Sequence, residues 1–245
     1  MFSGKIFILG LMFIFGFAVL SVVFLRPFSP TSKEELEIMI TIPEGYTIKQ
    51  MAKVFEEAKL FSKDDFINSA KNEEGYLFPD TYRFFKNTTP QEVTKKMKKN
   101  FESKISRFLP EIERQKKSLG DIIIMASIIE KEIHDVEDRK IVSGILWKRI
   151  KEGIGLQVDA SLTYILGKTS AELSAEDLKI ESLYNTYKYK GLPEGPISNP
   201  GINAIESAIF PTNSLYLFYL SDGDGITHYA KNFEEHKENK LRYLK

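Results

Sequence analysis

The hydrophobic pattern changes character several times along the chain. Residues 6–25 carry no charge, and a run of about 20 apolar positions is long enough to cross a bilayer of roughly 30 Å. We expect an uncleaved transmembrane helix there. A secretory leader has a shorter apolar region, about 7–15 residues, and a small-x-small cleavage site, whereas this run ends in Phe24-Leu25-Arg26-Pro27-Phe28. Residues 26–36 read as a stalk. Leu36–Ile42 has strand character and stops at the turn Pro43-Glu44-Gly45. Behind the capping-box pair Thr47 and Gln50, Ile48, Met51, Ala52, Phe55 and Ala58 recur at helical spacing. Ser62 with Asp65 starts another short helix. A strand and two helices in about 35 residues are too little chain for a secure core, so this module should lean on the residues after it.

Glu74–Tyr82 is aromatic, holds Gly75 and Pro79, and suits a shaped loop or edge strand. Residues 90–117 predict one or two charged amphipathic helices whose lysines form a solvated face. Asp121-Ile-Ile-Ile-Met-Ala-Ser-Ile-Ile-Glu130 is the most informative run. Ser118 and Asp121 fit a helix start, and a helix apolar on every side must be buried. A further helix runs from about Glu137 to Lys151 and ends at Gly153. The chain beyond is rich in loops. Asn199 and Pro200 suit the N-cap and first position of a helix through about Phe210. Leu215–Leu220 reads as an apolar strand, turned by residues 222–225 into a hairpin with Thr227-His228-Tyr229. A polar helix finishes the chain. The mixture predicts an α+β fold.

Composition narrows the chemistry. Lys+Arg and Asp+Glu both number 34, so no basic excess points to nucleic acid, and no nucleic-acid motif stands out. The chain has no cysteine, which excludes disulfides, thiolate nucleophiles and cysteine metal sites. His134 stands four residues from Glu130, which is ligand spacing, but no HExxH pattern accompanies it; we expect neither metal nor cofactor. Glu130 is the candidate acid. A carboxyl at the inner end of an apolar helix loses water, and one that keeps its proton can donate it. The other readings are a residue at a fraying helix end or an ion-pair partner of Lys131 or Arg149. Glu132, two residues on, points to a different face and reads as solvated or as a supporting residue.

Several motifs in order resemble the MltG/YceG family of membrane-anchored endolytic murein transglycosylases: Glu-Gly-Tyr-Leu-Phe-Pro-Asp-Thr-Tyr (74–82), Ala-Ser-Ile-Ile-Glu-Lys-Glu (126–132), Leu-Gln-Val-Asp (156–159), Tyr-Asn-Thr-Tyr (184–187), Gly-Leu-Pro-Glu-Gly-Pro-Ile (191–197) and Asn-Pro-Gly (199–201). The resemblance implies a cytoplasmic amino terminus (1–5), a single span (6–25), the stalk (26–36), a small LysM-like module (37–72) and a mixed α+β catalytic domain (73–245). It further implies a place in the bacterial cytoplasmic membrane with the catalytic domain outside, peptidoglycan glycan strands as substrate, and peptidoglycan synthases (penicillin-binding proteins) as partners. The family's catalytic acid is expected at Glu130.

In such a reaction the acid protonates the bridging oxygen between MurNAc and GlcNAc, and the muramic C6 hydroxyl closes onto C1, leaving a 1,6-anhydro end. Gln157 and Asp159 are expected to contact substrate or to cap backbone locally; Asp159 is also suited to stabilise oxocarbenium-like charge. Asn185, Thr186 and Tyr187 offer amide and hydroxyl donors with an aromatic platform, or else a structured turn. Glu74 frames the aromatic loop. Ser127, one turn before Glu130, bonds either its carboxyl or its own helix. His228 reaches the cleft or packs at an edge. Two rivals stand beside the transglycosylase: a non-catalytic wall-binding scaffold, and a muramidase-type hydrolase with Asp159 as second carboxylate.

Overall fold

The computed structural model describes residues 37–244. The expected amino-terminal segment, span and stalk (1–36) lie outside them, and no helix of the described residues is long and apolar enough to cross a membrane.

Strand β1 (Glu37–Thr41) leads into α1 (Ile48–Glu57) and α2 (Lys63–Ser69), and β2 (Thr81–Phe85) returns antiparallel to β1, with Ile40 opposite Tyr82. Both helix starts are as the sequence dictates. Thr47 and Gln50 close a reciprocal capping box, and the Ser62 side chain accepts from the Asp65 N–H. Phe55 and Phe66 are fully buried between these helices, their ring centroids 4.7 Å apart. The cluster around them takes Leu77, Tyr82, Phe84, Val93 and Met97 from beyond residue 72. The small module thus completes its core with later chain.

Helices α3 (Pro90–Ile105) and α4 (Leu109–Arg114) form the charged pair, joined by a short 3-10 turn. Helix α5 (Leu119–Glu132) is the central rod of the second core. Ile122, Ile123, Met125, Ala126, Ile128 and Ile129 are fully buried, each of the larger side chains contributing roughly 1.5–3 kcal/mol through loss of water contact. Around it lie α6 (Val136–Lys151), α7 (Asp159–Leu166) and α8 (Ile202–Ile209). The chain closes with the hairpin β3 (Phe218–Ser221) and β4 (Thr227–Ala230), then α9 (Phe233–Tyr243). The fold is α+β and mainly helical.

Three local expectations are corrected. Helix α8 starts two residues later than expected, with Gly201 at its N-cap, because Asn199 is used elsewhere. Its side-chain oxygen accepts from the Gly75 and Leu77 N–H groups, both at 2.9 Å, and its amide donates to the Tyr46 carbonyl and to Glu74. Strand β3 lies three residues downstream of the apolar run's start, where it can pair with β4. Asp159 opens a helix within the stretch beyond Gly153 expected to be rich in loops.

Gly144 carries a consequence for stability. Helix α6 passes so close to the segment after α8 that a Cβ at Gly144 would lie 1.9 Å from the Thr212 carbonyl oxygen. Thr212 is itself fixed, its N–H donating to the Lys140 carbonyl. Backbone cannot yield cheaply, so Gly144→Ala should lower stability by about 3 kcal/mol, the upper end of overpacking costs. Urea unfolding would show this as a lower midpoint at an unchanged slope.

Candidate active site

The last turn of α5 presents two carboxyls two residues apart, and they meet different surroundings. Glu130 is buried, and both its oxygens are engaged. Oε1 accepts from the Arg139 Nη2 at 2.7 Å, and Oε2 accepts from the Gly201 N–H at 2.9 Å. Arg139 is itself about as buried and donates its Nε to the Ile133 carbonyl. Gly201 has room for this only without a side chain, because the Glu44 carboxylate fills the place of its Cβ. Burial, with the Glu130 charge beside it, pushes the Glu44 carboxyl above the ordinary carboxylate range. Expected as the acid, Glu130 is here the partner of a buried ion pair that ties α5 to α6 and to the start of α8. The expectation of a partner in Lys131 or Arg149 is corrected to Arg139.

Glu132 points the other way, into a cavity of about 430 Å³ bounded by the end of α5, Arg149 of α6, residues 156–159, Tyr187, β3 and α9. The expectation of a solvated residue is corrected, because the hairpin and α9 shield it from bulk solvent. Burial is the main cause that pushes its carboxyl up to about 7, and the nearby Asp159 charge adds to it. Bonds from the Tyr219 hydroxyl, 3.1 Å from Oε2, and from the Ala160 N–H pull the other way and do not cancel the effect. A carboxyl in this position holds its proton near neutral pH and can give it up to a bound group.

Asp159 lies in the same cavity, its Oδ1 accepting from the Tyr187 hydroxyl at 2.5 Å. That bond, with burial as the larger cause, raises the Tyr187 phenol far above its usual range, so it stays a donor. Gln157 lines the cavity too and accepts from Arg149 Nη2 at 3.0 Å. Of the residues expected to touch substrate, the cavity therefore gathers Gln157, Asp159 and Tyr187.

The others serve the frame. Asn185 is fully buried and folds its own turn, donating to the Leu178 and Ile180 carbonyls. Thr186 accepts from the Val158 N–H through its hydroxyl and from the Gln157 N–H through its carbonyl, which fixes the strip that carries Gln157 and Asp159. Ser127 bonds back to the Ile124 carbonyl and accepts from the Ile197 N–H, so it braces the 191–201 loop and not Glu130. Glu74 is pushed up to about 7 by burial, and it holds the Ile48 N–H at the start of α1, the Tyr164 hydroxyl and the Asn199 amide. Glu74 joins the small module to the larger core and does not line the cavity. His228 pairs with Asp222 at 2.7 Å and stacks on Tyr243, away from Glu132. His134 lies exposed beyond the end of α5; among the described residues no group of three or more acidic, His or Cys side chains is arranged to hold a metal.

Sequence reasoning did not single out Tyr219 or His236, and it gave Glu132 and Arg149 other roles. The one local signal was the second carboxyl of Glu130-Lys131-Glu132; what buries it comes from residues nearly ninety positions later, such as Tyr219.

Comparison with known proteins agrees with this architecture. The YceG-like family model matches residues 25–242. A Bacillus subtilis (strain 168) protein named endolytic murein transglycosylase is 33% identical over 233 residues, covering 84% of this chain and 65% of its own. A protein of the same name from Streptococcus pneumoniae serotype 2 is 31% identical over 251 residues, covering 86% of this chain and 46% of its own. The chain thus spans less than two thirds of either relative. The crystal structure of a YceG-like protein from Listeria monocytogenes superposes with a TM-score of 0.76 at 32% identity, over 82% of this chain and 75% of that one.

Proposed function

Since the chain belongs to the YceG-like family, we propose that it is an endolytic murein transglycosylase in which Glu132, not Glu130, is the acid. One observation carries the assignment: Glu132 is the carboxyl that is both desolvated and open to a cavity, with Asp159 and Tyr187 lining the same cavity. Glu130 has both oxygens committed to Arg139 and Gly201.

The reaction follows from these positions. Protonated Glu132 gives its proton to the oxygen between MurNAc and GlcNAc as the C1–O bond breaks. Asp159, held by Tyr187, offsets the positive charge that grows at C1 and its ring oxygen. The muramic C6 hydroxyl attacks C1, and ionised Glu132 takes the hydroxyl proton, so the acid is regenerated and no water enters. The product carries a 1,6-anhydro end, and cutting within a strand ends its growth. The apolar run 6–25 would hold the enzyme at the outer face of the cytoplasmic membrane, where tethering raises its effective concentration near new strands and near peptidoglycan synthases. The β1–α1–α2–β2 order of residues 37–85 is what supports a LysM-like glycan-binding module.

Incubating the full chain with glycan strands and reading the ends by mass spectrometry tests this. Anhydro-muramyl ends are expected. Reducing ends would point to hydrolysis with Asp159 as second carboxylate, and uncut strands to a binding scaffold. The pH profile is a second test. The acid must be protonated, and its carboxyl is pushed up to about 7. Cleavage should therefore fall about tenfold per pH unit above that value, as expected for one essential proton.

A further inference from the structure

Arg149 and Arg139 are both buried on α6, with 6% and 5% exposure, but only Arg139 has a carboxylate. Among the described residues Arg149 has no ion-pair partner. Its one side-chain hydrogen bond among the described residues runs from Nη2 to the Gln157 side-chain oxygen, and its buried Nε has no acceptor. Under it lies the Phe218 ring, 5.5 Å from the guanidinium carbon. A buried cation without a counter-charge is strongly unfavourable. The same wall holds a second orphan: His236 of α9, stacked on Phe218 at 5.2 Å, whose Nδ1 has no partner. Both side chains line the Glu132 cavity. The two orphan atoms are sealed from solvent, so it is the charge of Arg149, left without a counter-ion at the cavity wall, that an anionic ligand group would offset. Gln157, which holds Arg149, has a left-handed backbone (φ 52°) that a non-glycine residue rarely adopts.

We propose that Arg149, with His236 beside it, is a specificity-determining subsite that receives a carboxylate of the glycan strand at the muramic acid next to the cleaved bond. This inference rests on the proposed transglycosylase reading. A guanidinium's planar fork of donors matches a carboxylate. Lys131 and Lys240 also line the cavity, but both are exposed and hydrated, which leaves Arg149 as its buried cation for a substrate anion. Murein offers that chemistry from two sources: the lactyl carboxylate of a muramic acid that has lost its stem peptide, and the free carboxylates of the peptide itself.

Binding to three labelled strand preparations separates the sources: peptide-free strands, the same strands with lactyl carboxylates converted to methylamides, and peptide-bearing strands. The full chain carrying Glu132→Gln, which does not cut, is titrated with each by fluorescence anisotropy. Tighter binding of the free lactyl form over its amide, by tenfold or more, assigns the subsite to the bare muramic acid. Tightest binding of the peptide-bearing form assigns it to the peptide. Adding Arg149→Gln should abolish the preference, and Arg149→Lys should keep part of it. Equal binding of the three preparations, no binding of any, or a preference that survives Arg149→Gln would overturn the inference. Anhydro-end formation by the unmutated chain on the same strands is scored separately. Its absence removes the proposed reaction, while the binding comparison still decides the subsite.

Discussion

Replacing Glu132 by Gln should cut the rate of anhydro-end formation by about 10³-fold, within the range for losing a general acid, while the protein stays folded. Glutamine keeps the shape and can still accept from the Tyr219 hydroxyl, which stands 3.1 Å from the present carboxylate oxygen. What it lacks is a proton to give and a negative charge with which to take one back, and the reaction uses both. Stability should not suffer. A carboxyl raised to about 7 by burial disfavours the folded state when it ionises at higher pH, and the neutral amide removes that cost. At pH 8 the variant should therefore melt at or above the temperature of the unmutated protein. Circular dichroism melts alongside product mass spectrometry check the two halves together. A variant that still cuts at full rate would exclude Glu132 as the acid.

Glu130→Gln should behave in the opposite sense and cost about 3 kcal/mol of stability. Its partner Arg139 is 5% exposed, and breaking a buried pair from one side strands the other charge, at about 3–5 kcal/mol. The lower figure applies because the Gln carbonyl can still accept from the Gly201 N–H and the Glu44 charge lies within electrostatic reach of Arg139. Converting Arg139 to Met in the same chain should restore most of the loss, since both charges are then gone; the Ile133 carbonyl loses a donor. Chemical denaturation of the two single variants and the double variant gives the coupling energy directly.

Local signals are legible in the sequence and distant ones are not. The caps at Thr47, Ser62 and Ser118 follow from side chains three residues apart, and such bonds need nothing from the rest of the fold. The apolar face of α5 announces its burial. That burial draws attention to Glu130, yet burial alone does not separate an ion-pair carboxyl from a proton donor. The distinction depends on which long-range group arrives at each side chain. Arg139 comes from the next helix to Glu130, and Tyr219 from the terminal hairpin to Glu132. Asn199 looks like a cap because its spacing suits one, and it is instead consumed by the Gly75 and Leu77 N–H groups. Asn185 and Thr186 look like substrate contacts because they are polar in a motif, and both are spent on backbone that holds the Gln157–Asp159 strip.

The decisive comparison sets the Glu130→Gln/Arg139→Met chain beside Glu132→Gln on the same glycan strands, with anhydro-muramyl ends counted by mass spectrometry. Abundant anhydro ends are expected from the first and almost none from the second. A folded double variant that leaves the strands whole, beside a Glu132→Gln chain that cuts them, would contradict the Glu132 assignment.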